Sequence, residues 1–134
     1  MKMTFKAIAG MLVALCLAVL GGWIWGSLGR WSAEEALRAS GTRLHQSNAQ
    51  AGLLKARVNL FENNFGEAGR NLAAAREDLL TVAPTLEQDG QQEAAGRLRA
   101  AIAKIGEAID LAARLDLAAN TRAAEAFRLL TSTQ

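Results

Sequence analysis

The sequence predicts an all-α protein: an N-terminal single transmembrane helix, then an antiparallel helical hairpin within a bundle of three or four helices. Three observations support this fold class. Hydrophobic residues make up 51% of the 134 residues but aromatic residues only 5%, with no tyrosine, a composition poor in the side chains that strands prefer. Residues 7–28 carry no charge. Beyond them, apolar residues recur every three or four positions, the period of an amphipathic helix.

The apolar segment predicts a membrane span at residues 7–29, behind a short basic tail, residues 1–6. At ~1.5 Å per residue such a helix just crosses the ~30 Å hydrocarbon core. A cleaved signal peptide is the alternative, since Ser27 and Gly29 have a suitable spacing, but the segment is longer than a typical signal core. We expect an uncleaved anchor in the inner (cytoplasmic) membrane, with the N-terminus cytoplasmic and the helical domain periplasmic.

Small residues recur at every fourth position of this segment, which would place them on one face of the helix. Such a face lets another helix approach closely. We therefore expect the bilayer as one partner, and another transmembrane helix or a homo-oligomer as a second. The packing residues are Gly10, Ala14, Ala18, Gly22 and Gly26, and the predicted interface anchors are Trp23, Trp25 and Trp31.

The remaining residues, 31–131, predict an extramembrane bundle with helices at about 32–62, 66–83 and 91–131. Ser32 and Glu35 fit a capping box, so the first helix is expected to start there. Its apolar positions follow a heptad. One seam position is Leu37, Leu44, Ala51, Val58 and Phe65, and the other is Ser40, Ser47, Leu54 and Phe61. We expect this seam to face the core, most strongly beyond Ala51.

The stretch Asn63-Asn64-Phe65-Gly66 predicts a turn, although the heptad would also allow one unbroken helix. Pro84 is expected at or just past the end of the second helix. The third run allows a helix to about Leu130, twice as long as the second, unless it breaks near Asn120. The core positions are Ala68, Leu72, Ala75, Leu79 and Val82 in the second run. In the third they are Ala95, Leu98, Ile102, Ile105, Ile109, Ala112, Ala119, Ala123, Ala126 and Leu130.

Residues 49–80 resemble a single degenerate tetratricopeptide unit. The residues that carry the likeness are Ala56, Asn63-Asn64-Phe65-Gly66-Glu67-Ala68, Leu72 and Ala75, while Gly52, Lys55 and Asn59 replace the usual tryptophan, glycine and tyrosine. No second copy is evident, and an array needs about three. The resemblance implies a helical hairpin of the interaction-scaffold kind, without a peptide-binding groove.

The sequence offers little material for catalysis. His45 has no acidic residue three or four positions away and is expected on a solvated surface, and Cys16 lies inside the predicted span. Acidic and basic residues are interspersed, which argues against a nucleic-acid partner. We expect no catalytic residue, metal, cofactor or small-molecule ligand.

The sequence therefore predicts a non-enzymatic, membrane-anchored accessory or scaffold protein of a bacterial envelope complex. The alternative is a periplasmic ligand-binding or stress-sensing bundle that acts through a partner. In that alternative, Ser40, Ser47 and His45 would line a small cavity.

Overall fold

The computed structural model describes the backbone of residues 5–132 and the side chains of residues 33–132. The described backbone forms four α-helices and no strand, which confirms the all-α prediction. The helices are α1 (Phe5–Phe61), α2 (Phe65–Gln88), α3 (Gln92–Ala113) and α4 (Ala118–Thr131). The chain divides into two compact units, Met1–Ser40 and Gly41–Gln134.

The second unit is an up-down-up-down bundle made of residues 41–61 of α1 with α2, α3 and α4. Short turns join consecutive helices, so neighbours run antiparallel. Each helix contributes an apolar row to a core that consists of two clusters, and alanine is the commonest buried residue. Among the described side chains, every buried residue is apolar. Small side chains let the helices approach closely, and the largest side chains that are fully buried are Leu53, Leu60, Leu72, Leu79, Val82 and Ile105.

All three turns end the preceding helix in the same way, with one residue at positive φ. These residues are Asn63 (φ 58°), Gly90 (φ 74°) and Leu115 (φ 58°). After α3, the Leu115 amide donates to the Ala112 carbonyl and the next amide donates to that of Leu111, both at 3.0 Å. This pair of bonds is the Schellman motif, which satisfies the last carbonyls of a helix. Equivalent bonds follow α1 and α2.

The separation of α1 and α2 confirms the predicted turn and excludes one unbroken helix. The Asn64 side chain also caps α2, since its Oδ1 accepts the Glu67 amide at 3.4 Å. The positive φ of Asn63 is a conformation that asparagine tolerates better than most residues. A tight two-helix hairpin results, as the sequence predicted.

Three predicted helix boundaries are wrong. The third run is two helices, because the chain reverses at Leu115, five residues before the expected break near Asn120. Helix α2 continues through Pro84 to Gln88 because Leu86 is still buried in the core. Pro84 is exposed, so the carbonyl that lacks its amide partner can contact water. Ser32 lies within α1 and does not start a helix.

The predicted membrane span, residues 7–29, and the basic tail, residues 1–6, lie outside the residues whose side chains are described. Among the residues whose side chains are described, no helix combines the length and the apolar character needed to cross a bilayer.

Candidate interaction surface

Helix α1 is apolar on two opposite faces. The face in the bundle core consists of Ala49, Leu53, Ala56 and Leu60, all fully buried. These residues are spaced four, three and four apart, as are the buried residues of α2. The prediction that the heptad seam faces the core is wrong for α1, because its seam residues are exposed.

The exposed face is a second apolar row, which we call the α1 stripe. It comprises Leu44, Ser47, Ala51, Leu54, Val58 and Phe61, all within the second unit. At about 100° per residue, the centre of this row lies about 180° from the centre of the core row. Phe61 is 69% exposed, Leu44 60%, Val58 55% and Leu54 46%. Nothing in the described chain covers these side chains, although four large apolar residues in one row are unusual on a solvated helix.

The charges beside the stripe are of one sign. Arg43, Lys55 and Arg57 lie on residues 41–61, and no acidic residue occurs there. Glu62, in the turn just past the end of α1, is the first acid to follow. One of these cations is also held within the bundle, since Arg57 Nε donates to Asn120 Oδ1 of α4 at 3.1 Å. The stripe is therefore an apolar row with a basic border.

The position of α1 on the bundle is fixed by a close approach to α2. A Cβ atom at Gly52 would lie 3.2 Å from the Ala75 Cβ and 3.3 Å from the Asn71 carbonyl oxygen. Both distances are tighter than ordinary van der Waals contact, so the two backbones approach as closely as they do because position 52 has no side chain. This contact turns the core row of α1 inward and consequently turns the stripe outward.

A polar contact between partly exposed side chains also joins α1 and α2. His45 Nδ1 lies 2.7 Å from Asp78 Oδ1, and both side chains are partly exposed. His45 thus lies at the partly exposed surface of the bundle and has an acidic partner on α2. The spacing within one helix does not indicate this pair, because Asp78 lies 33 positions further along the chain.

A charge network links α3 and α4 on the bundle surface. Lys104 Nζ lies 3.0 Å from Glu107 Oε1, while Arg122 contacts both Glu107, at 3.0 Å, and Glu125, at 2.9 Å. The hydrogen bond from Arg122 holds the pKa of Glu125 below its ordinary value. The network lies on a surface made of helix sides, and exposed pairs of this kind contribute little to stability. It connects α4 to α3 at the surface of the bundle.

The described side chains line a small cavity and a shallow groove between the helices. One of about 70 Å³ is lined by residues from all four helices, including Gln46, Gln50 and Leu98. A shallow groove of about 260 Å³ lies between α1 and α4, beside Arg57 and Asn120. The first is far smaller than the ~300–1,000 Å³ of small-molecule pockets. Ser40, Ser47 and His45 line neither of them.

Among the described side chains, no group of three histidine, cysteine or acidic residues converges as a metal site would. The residues predicted to pack in the membrane or to anchor at its interface lie outside the residues whose side chains are described. They are Gly10, Ala14, Ala18, Gly22 and Gly26 for packing, and Trp23, Trp25 and Trp31 for anchoring. The candidate surface in the described chain is thus the α1 stripe.

Comparison with known protein families, with curated proteins and with solved structures found no match. The resemblance to a tetratricopeptide unit consequently rests on the residues alone. What the fold defines is a class: a small, alanine-rich, up-down-up-down four-helix bundle with one apolar face left uncovered.

Proposed function

We propose that this chain is a non-catalytic helical scaffold, anchored in the inner membrane of a bacterium, whose bundle docks partners through the α1 stripe in an envelope complex. The stripe is the observation that carries the proposal. An exposed apolar row lowers solubility unless something covers it, and this row lies on a bundle whose other helices direct their apolar rows inward.

The membrane part of the proposal is supported by the sequence. Residues 7–28 are uncharged and long enough for one crossing. Lys2 and Lys6 precede the span, and a short basic tail of this kind tends to stay on the cytoplasmic side. The helical domain would then lie in the periplasm.

The docking part is tested by two matched variants of the full chain in its native membrane. Leu54→Glu places one charge on the stripe, at a leucine that is 46% exposed, whereas Leu80→Glu places one on a leucine of α2 that is 48% exposed. After gentle solubilisation, the unmodified chain and Leu80→Glu should migrate in an assembly larger than the monomer. The stripe variant should migrate as a folded monomer.

Two outcomes would contradict the docking role of the stripe. If the unmodified chain is a monomer in several mild detergents, or if both variants leave the assembly intact, the stripe does not dock a partner. Membrane anchoring is tested separately by extraction at alkaline pH, which should leave the full chain in the membrane fraction.

A further inference from the structure

We propose that the α1 stripe binds the α1 stripe of a second copy of this chain, in a parallel and in-register two-stranded coiled coil. This inference rests on the docking role proposed above and names the partner. Its first support is the period of the stripe. Positions 44, 51 and 58 are seven residues apart, as are positions 47, 54 and 61. A seven-residue repeat keeps one apolar row facing a partner helix when the two helices wind around each other in a left-handed supercoil.

The second support is that each layer of the stripe matches itself. In a parallel pair, the large apolar residues meet their own counterparts, so leucine packs on leucine at positions 44 and 54. Ser47 then faces Ser47 of the partner copy, and two hydroxyls can hydrogen-bond to each other. In an antiparallel pair centred on the stripe, Ser47 would face Val58 and lose that partner. This matched polar layer favours the parallel, in-register arrangement over the antiparallel one.

The third support comes from the flanking charges. In a parallel coiled coil, a residue just before one seam position faces the residue five places further on in the other chain. Arg43 then faces Asn48, and Gln50 faces Lys55. Neither of these pairs within α1 juxtaposes like charges. In this arrangement, Arg43 and Lys55 of one copy face neutral residues of the other copy, so they do not oppose the pairing.

The test is disulfide crosslinking of the full chain in lipid vesicles, with Cys16→Ser as the background. Val58→Cys introduces a thiol on the stripe, and Leu80→Cys is the control with similar exposure on α2. In a parallel pair the two Val58→Cys thiols face each other, so oxidation should give mostly crosslinked dimer. Leu80→Cys should give at least fivefold less. Adding Leu54→Glu to Val58→Cys should reduce the crosslink at least fivefold while the helical circular dichroism is unchanged.

Two results would overturn the inference: equal crosslinking at both positions, or no crosslink from Val58→Cys in folded protein. If Val58→Cys does not crosslink but Leu54→Glu still removes the chain from its native assembly, the stripe binds a different protein. The second-copy inference then fails while the proposed docking function stands. If Leu54→Glu changes neither the Val58→Cys crosslink nor the size of the native assembly, the second-copy inference and the proposed docking function both fail.

Discussion

At the scale of single residues, the three turns show which local features the sequence makes visible. Asn63 and Gly90 are residues that adopt a positive φ readily, and the sequence predicted a turn or loop at each. Leu115 adopts the same conformation with a β-carbon that crowds the backbone. No glycine, proline or asparagine occurs at this turn, so the sequence allowed either one helix to about Leu130 or a break near Asn120, and did not indicate a turn at Leu115. The turn forms there because burial on both sides, at Ala112 and Ala119, is worth more than the local strain.

Replacing Leu115 by glycine should therefore stabilise the bundle. The change relieves the crowded φ and removes a leucine that is 69% exposed, and we expect a gain of about 1 kcal/mol in the free energy of unfolding. Chemical denaturation measures it. Asn63→Gly is the control and should gain clearly less, because asparagine already tolerates this φ. A loss of stability in Leu115→Gly would show that the leucine side chain makes a contact worth more than the strain.

At the scale of the elements, the apolar rows of α2, α3 and α4 were predictable and that of α1 was not. The predicted rows of α2 and of the third run are buried or packed against the core. Helix α1 carries two apolar rows with the same heptad spacing, and the one with the larger side chains is the exposed one. The buried row contains two alanines and lies beside Gly52, which contacts α2, a helix that follows later in the sequence. Periodicity alone could not rank these two rows, because both have helical spacing.

The close approach at Gly52 makes a second prediction. Gly52→Leu should destabilise the bundle by about 1–3 kcal/mol, because its side chain must displace Ala75 and the α2 backbone. Gly106→Ala is the contrast: a Cβ atom there meets nothing within 4 Å, so better helix propensity should stabilise α3 by about 0.5–1 kcal/mol. Thermal and urea unfolding of the two variants measure both effects. Equal effects at the two positions would mean that α1 and α2 do not approach closely at residue 52.

At the scale of the whole molecule, the two opposite faces of α1 have different roles: one stabilises the fold, and the other is the proposed surface for association. The inward row completes the core with α2, α3 and α4, and the outward row is the proposed contact with a second copy. A bundle core made largely of alanine buries little apolar area per residue. Residue 52, which lies at the close contact between α1 and α2, thus also determines which row is exposed. The proposed docking surface follows from the packing of the bundle and could not be identified before the core was known.

Adjacent leucines on α1 test this division directly. Leu53 is fully buried and Leu54 is 46% exposed, so the same substitution at each probes one face. Leu53→Ala should lower the free energy of unfolding by about 2–5 kcal/mol, since it leaves a cavity in the core. Leu54→Ala, measured at concentrations where the chain is monomeric, should change stability by less than about 0.5 kcal/mol. Sedimentation of the full chain in mild detergent should show the reverse order for association: Leu54→Ala weakens the dimer, whereas Leu53→Ala, while folded, leaves it intact. If Leu54→Ala costs as much stability in the monomer as Leu53→Ala does, both rows belong to one core and the stripe is not a separate surface.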